Sequence, residues 1–138
     1  MENMETMRAV CVDTDIVVDY LRGREPRKSA FSTWRKRAEV LIASITAFEL
    51  LLGATLSSKR EERVAEVESL LDQYKVLAFG RDGAEQAANI GTELRVKGTV
   101  VEIRDLLNAS MCLSREIPIV TKNKALYERV VGLEVLTP

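Results

Sequence analysis

Arg8-Ala9-Val10-Cys11-Val12-Asp13-Thr14-Asp15-Ile16-Val17-Val18-Asp19-Tyr20-Leu21 is the stretch on which the reading of the fold turns. Residues 8–12 are short, β-branched and apolar and end at a carboxylate, the pattern of a buried strand rather than a helix. From Thr14 the apolar positions fall at Ile16, Val17 and Tyr20, which predicts a short helix stopped near Gly23.

The alternation continues along the chain. Pro26 opens a helix through Phe31 and Trp34 to about Ala38, and residues 40–43 form a second strand. Ser44 is a candidate N-cap for an apolar helix over 45–56 whose one charge is Glu49. Val64, Val67, Leu70 and Leu71 mark an amphipathic helix over 59–74, followed by a strand at 76–79. Asp82 and Glu85 have capping-box spacing for a helix that Gly98 ends near Lys97. The next helix, 102–115, places Ile103, Leu106, Leu107, Met111 and Leu113 on its apolar side. A strand at 117–121 containing Pro118, a short helix at 124–130 and an edge strand at 133–136 complete the order. This order predicts a mostly parallel sheet with helices on both faces, an α/β fold in three layers. Ligands in such sheets bind beyond the carboxyl ends of the strands, where Asp13 and Asn123 both fall.

At 138 residues and 46% hydrophobic composition, the chain suits one domain over 1–138 with a single substantial core. Met4 and Met7 follow Met1 so closely that residues 1–6 are expected to be a flexible tail. With 20 basic against 21 acidic residues, binding to a polyanion cannot rest on overall charge and must be local. The run containing Arg22, Arg24, Arg27, Lys28, Arg35, Lys36 and Arg37 is a local candidate, and equally a solvated helix surface. Cys11 and Cys112, each in an apolar segment, read as small buried hydrophobes. No apolar stretch is long enough to span a membrane and the N-terminus lacks a signal pattern, so a cytoplasmic protein without membrane contact is expected. Histidine is absent, which excludes Ser–His hydrolases, histidine-based ribonucleases and imidazole-ligated metal sites.

The remaining chemistry centres on carboxylates. Asp13 stands at a strand end facing the crevice, although it serves equally as an N-cap. Glu49 is alone among Ile45, Phe48, Leu50, Leu51 and Leu52, and if buried it needs a partner or a metal. Asp105 lies in the first turn of its helix, where the macrodipole alone would favour it. Together they form an oxygen-only set that suits Mg²⁺ or Mn²⁺. Such an ion activates water for attack on a phosphodiester, with one carboxylate taking the proton, and the chemistry needs no histidine.

Four motifs in order resemble the PIN-domain family, in particular the toxin ribonucleases of VapBC-type toxin–antitoxin pairs. They are Val10-Cys11-Val12-Asp13-Thr14-Asp15-Ile16 with Leu21-Arg22-Gly23; Ser44-Ile45-Thr46-Ala47-Phe48-Glu49-Leu50 with Gly53; Arg104-Asp105-Leu106-Leu107-Asn108-Ala109-Ser110; and Ile119-Val120-Thr121-Lys122-Asn123 followed by Tyr127-Glu128-Arg129-Val130. The resemblance covers essentially the whole chain. It implies a PIN-like α/β/α sandwich and a metal-dependent endoribonuclease, usually a homodimer, restrained by a VapB-type antitoxin lying across the active-site groove. It places Asp13, Glu49 and Asp105 as metal ligands with Asn123 as a fourth site residue, and Thr14, Thr121, Arg22 and Arg24 towards the RNA. Two departures stand out: Asp15 replaces a common asparagine, and Asn123 replaces a common fourth aspartate. Glu102 is a candidate to compensate for the missing charge. Because Asn123 brings no charge, a non-catalytic RNA-binding or scaffold domain of the same fold is the alternative reading.

Overall fold

The computed structural model describes residues 8–138, and the tail expected at residues 1–6 lies outside them. β1 (Ala9–Val12) passes through Asp13 into α1 (Thr14–Arg22). There follow α2 (Ala30–Arg37), β2 (Glu39–Ala43), α3 (Ser44–Thr55), α4 (Arg60–Gln73), β3 (Lys75–Leu77), α5 (Arg81–Val96), α6 (Ile103–Ser114), β4 (Ile119–Val120), α7 (Lys124–Tyr127) and β5 (Val135–Leu136). The five strands pair in the order β3-β2-β1-β4-β5, and every pairing is parallel. β1 is therefore the central strand, flanked by β2 and β4.

Both sheet faces are dry, which is why the strands read as unbroken apolar runs. Side chains alternate across the pleat. Val10, Val12, Val40, Ile42 and Val120 join Ile16, Val17, Phe31, Leu50, Val67 and Leu70 on one side. Cys11, Leu41, Ala43, Leu77 and Ile119 join Ile90, Leu94, Ala109, Met111 and Tyr127 on the other. Both cysteines are free and buried, as expected of small hydrophobes. The α/β/α layering anticipated from the sequence is present, and the sheet is wholly rather than mostly parallel.

Several local expectations differ from the structure. The helix expected from Pro26 to Ala38 is divided into a 3₁₀ turn, Pro26–Lys28, and α2. Ser29 makes the break: its backbone is extended, its hydroxyl accepts from the Ser32 N–H at 3.2 Å and donates to the Pro26 carbonyl at 2.6 Å. Ser44 lies inside α3, and its N-cap is Ala43, which has no side-chain oxygen to offer. Asp82 and Glu85 form no capping box: the N-cap of α5 is Gly80, two residues before Asp82, so Asp82 accepts from the adjacent Gly83 N–H and Glu85 pairs with Arg81. β3 is shifted to residues 75–77, and β4 covers only 119–120 of the expected 117–121, because Thr121 already turns into the α7 connection. Ile103, assigned to the apolar side of its helix, is exposed on the first turn of α6. Gly98 ends α5 as anticipated, with φ +75° and its N–H donating to the Arg95 carbonyl.

Phe31 is the largest apolar side chain fully enclosed on the α1–α4 face, with Tyr20 at 4.7 Å and Tyr74 at 5.2 Å between ring centroids. Urea denaturation of Phe31→Ala should show a loss of about 3–5 kcal/mol in unfolding free energy, the cost of deleting a buried aromatic ring. A loss below about 1 kcal/mol would mean that this face of the core is not packed as described.

Candidate active site at the carboxyl edge of the sheet

Asp13 follows the last residue of β1, so its position is set by the central strand; its N–H donates to the Val120 carbonyl of the neighbouring strand. The side chain is 9% exposed. Three donors reach its carboxylate: the Thr14 N–H at 2.9 Å and Asn108 Nδ2 at 3.2 Å to Oδ1, and the Thr121 hydroxyl at 2.7 Å to Oδ2. Asp13 thus caps α1 from the carboxyl end of β1.

From this carboxylate a polar network spreads to the other candidates. Asn108 Nδ2 also donates to the Tyr127 hydroxyl at 3.3 Å, and that hydroxyl donates to Asp105 Oδ1 at 3.4 Å. Asp105 and Asn108 are three residues apart on α6 and share one side of it. On the other flank, the Thr14 hydroxyl donates to Glu49 Oε1 at 2.6 Å and lies 3.2 Å from the Thr46 hydroxyl. Glu49 Oε2 meets Arg104 Nη1 at 3.1 Å. α1, α3, α6 and the β4–α7 connection each contribute to one edge site.

The electrostatics are those of crowded negative charge. Burial raises the Asp13 pKa to about 6, with the charges of Asp15 and Asp105 adding to it and the Thr121 and Thr14 hydrogen bonds offsetting part. Asp105 is raised by burial first, then by Glu102 and Glu49. Asp15 is raised by burial and by Asp19, with Lys122 opposing. Tyr127 is pushed far above its ordinary range by burial and by Asp13, so it remains a phenol that can donate. Glu102 therefore does stand near Asp105 electrostatically, as anticipated.

Asp13, Glu49 and Asp105 lie along one edge of the sheet, linked through Thr14, Asn108 and Tyr127 rather than to one another. Asn123 is at the same edge, but its side chain is exposed and makes no hydrogen bond among the described residues; its backbone N–H donates to the Thr121 hydroxyl at 2.9 Å. Thr121, expected to contact RNA, is fully buried and holds Asp13 instead. Arg22 and Arg24 are exposed and contact none of the site carboxylates; Arg22 lies about 12 Å along α1 from Thr14. Further along the basic run, Arg35 lies over Tyr20 and Arg37 over Trp34, so these two serve the surface of the fold. Sequence reading missed Asn108, Tyr127 and Arg104 as members of the site. The signal for Asn108 was an amide in an otherwise apolar helix three residues after Asp105.

Among the described residues no three acidic side chains are gathered as a ready-made metal cage. The site nevertheless suits a hard cation. Asp13 is a buried carboxylate with no cation paired to it among the described residues, and Asn108 Oδ1 is buried without a hydrogen-bond partner. Uncompensated buried charge and an orphaned carbonyl oxygen are what an oxygen-seeking ion relieves.

The PIN domain family model matches residues 10–132. The chain is 34% identical over 98 residues to the tRNA(fMet)-specific endonuclease VapC of Salmonella typhimurium, covering 71% of this chain and 74% of the relative. It is 30% identical over 129 residues to the ribonuclease VapC of Rickettsia bellii, covering 91% and 93%. The crystal structure of DNA-bound VapBC from Salmonella typhimurium superposes with a TM-score of 0.82 at 28% identity, covering 96% of this chain and 98% of that one. With the family model spanning nearly the whole described chain and these relatives extending over most of it, the protein belongs to the PIN domain family and, within it, to the VapC ribonucleases.

Proposed function

We propose that the chain is a divalent-metal-dependent endoribonuclease, the toxin of a type II toxin–antitoxin pair, which hydrolyses RNA phosphodiester bonds at the carboxylates beyond β1. One observation carries the reading: Asp13 is buried at the end of the central strand, oriented by three donors, and no cation is paired to it among the described residues. Its relatives' ribonuclease names support RNA as the substrate.

Asp13, Glu49 and Asp105 are the residues that would hold Mg²⁺ or Mn²⁺, directly or through water. Bound there, the ion supplies a water of lowered pKa and neutralises charge on the phosphate under attack. Thr14, Thr121 and Asn108 fix the orientation of Asp13 and Glu49, so little reorganisation is left for the reaction. Asp105, whose pKa burial has raised, is the better placed of the exposed-side carboxylates to receive a proton from the attacking water. Arg22 and Arg24 extend the phosphate-binding surface beyond the site, and Asn123 offers an amide at its mouth.

The protein partner is a VapB-type antitoxin, in keeping with the VapBC complexes that share this fold. The homodimer is part of the same proposal, supported by Phe48, Leu52 and Leu56, which leave an exposed apolar stripe along α3 beside Glu49. The cytoplasm is the compartment in which such a toxin meets RNA. A second reading, an RNA-binding domain without a competent site, is favoured by the exposed uncharged Asn123 and by the engagement of both Glu49 oxygens.

Asp13→Asn separates the effects of this carboxylate. Antitoxin-free protein should lose Mg²⁺- or Mn²⁺-dependent cleavage of tRNA and of single-stranded RNA by at least about a hundredfold; retained cleavage would sink the assignment of Asp13. The same variant should be the more stable one without metal. The folded-state pKa of Asp13 is raised to about 6, so its contribution is fully present below the unfolded value near 4 and is lost as pH rises through 6. Asparagine avoids that loss, about 3 kcal/mol at most. Thermal melts in chelator should show the variant gaining on the parent between pH 4 and pH 7, and a constant difference would contradict the buried charge.

Calorimetric titration with Mn²⁺ distinguishes the two readings. The nuclease reading expects saturable binding that Glu49→Gln weakens about tenfold or more. Absence of binding in the parent chain would favour the RNA-binding domain.

A further inference from the structure

The pairing of Arg104 with Glu49 lies inside the acidic site, and the nuclease reading gives Arg104 no role. Glu49 has both carboxylate oxygens engaged within the chain, Oε1 by the Thr14 hydroxyl and Oε2 by the Arg104 guanidinium. Among the described ion pairs, Arg104 is the one cation that engages any of Asp13, Glu49 and Asp105. Its position opposes helix electrostatics: Arg104 is the second residue of α6, where the positive end of the macrodipole disfavours a cation. The side chain is 45% exposed, so the donors not used by Glu49 remain open to solvent at the mouth of the site.

We propose that Arg104 is a phosphate-binding positioning residue that neutralises Glu49 in the RNA-free protein and turns to a phosphate oxygen of RNA, releasing Glu49 for the divalent cation. The inference rests on the nuclease reading above. No bond is made or broken: the guanidinium exchanges one oxyanion for another, and its planar fork fits carboxylate and phosphate alike. In the free protein Arg104 and the metal compete for Glu49, whereas with RNA bound they act on different groups. One substitution should therefore move metal affinity and RNA affinity in opposite directions, which a merely structural ion pair would not do.

Arg104→Gln in the full chain tests this. Calorimetry with Mn²⁺ alone should show roughly three- to tenfold tighter binding than the parent. RNA affinity is measured by anisotropy of a labelled single-stranded oligoribonucleotide, in the Asp13→Asn background to prevent cleavage. There Arg104→Gln should bind about tenfold more weakly at 0.1 M salt and reduce the slope of log affinity against log salt by about 0.7, one phosphate contact. Arg104→Lys keeps the charge and should retain the parent's slope. Unchanged Mn²⁺ affinity or an unchanged slope in Arg104→Gln overturns the proposal, including when its only effect is a lower melting temperature. A parent chain that neither binds Mn²⁺ nor cuts RNA overturns the nuclease reading instead, so the two failures are distinguishable.

Discussion

The structure depends on keeping one carboxylate, that of Asp13, out of water at the end of the central strand. Burying a charge is unfavourable unless several polar groups are brought to it in register. Here the donors come from the first turn of α1, the middle of α6 and the residue after β4, so these three segments must be docked correctly before the charge is tolerable. The parallel sheet makes that convergence possible, since β1 lies between β2 and β4 and all three strands end at the same edge. Stability and chemistry are set against each other at this point, as is common where a group is held in the state its function needs.

The same arrangement explains why the framework of the fold could be read from the sequence while its joints could not. A strand buried on both faces is a continuous apolar run, and residues 8–12 and 40–43 announced themselves that way. Helices with one wet side were equally plain, from the spacing of Val64, Val67, Leu70 and Leu71. Caps were harder, because several arrangements of neighbouring side chains satisfy a helix end about equally well. Asp82 and Glu85 had the spacing of a reciprocal cap, yet the helix is capped two residues earlier, at Gly80. Ser29, with no distinguishing sequence pattern, ended a helical turn through two hydrogen bonds.

For the site, the acidic residues were legible because each broke an apolar pattern: Asp13 at a strand end and Glu49 alone on α3. Their supports were not. Thr121 reads as a substrate-facing hydroxyl until its burial is known, and the Tyr127 phenol reaches Asp105 from twenty-two residues along the chain. Arg104 was invisible for a different reason: a cation in the first turn of a helix contradicts local preference, and only the proximity of Glu49 across the fold accounts for it.

The strand order also makes the site depend on distant parts of the chain. β1 acquires its neighbour β4 only after a separation of about a hundred residues, and Thr121 and Tyr127 come with it. Until residues 119–127 are in place, Asp13 lacks the hydroxyl that holds it and Asp105 lacks the phenol that links it to Asn108. The centre is thus non-local in sequence: its geometry exists only when segments about a hundred residues apart are docked, so a loss of long-range pairing dismantles the site even where every helix persists.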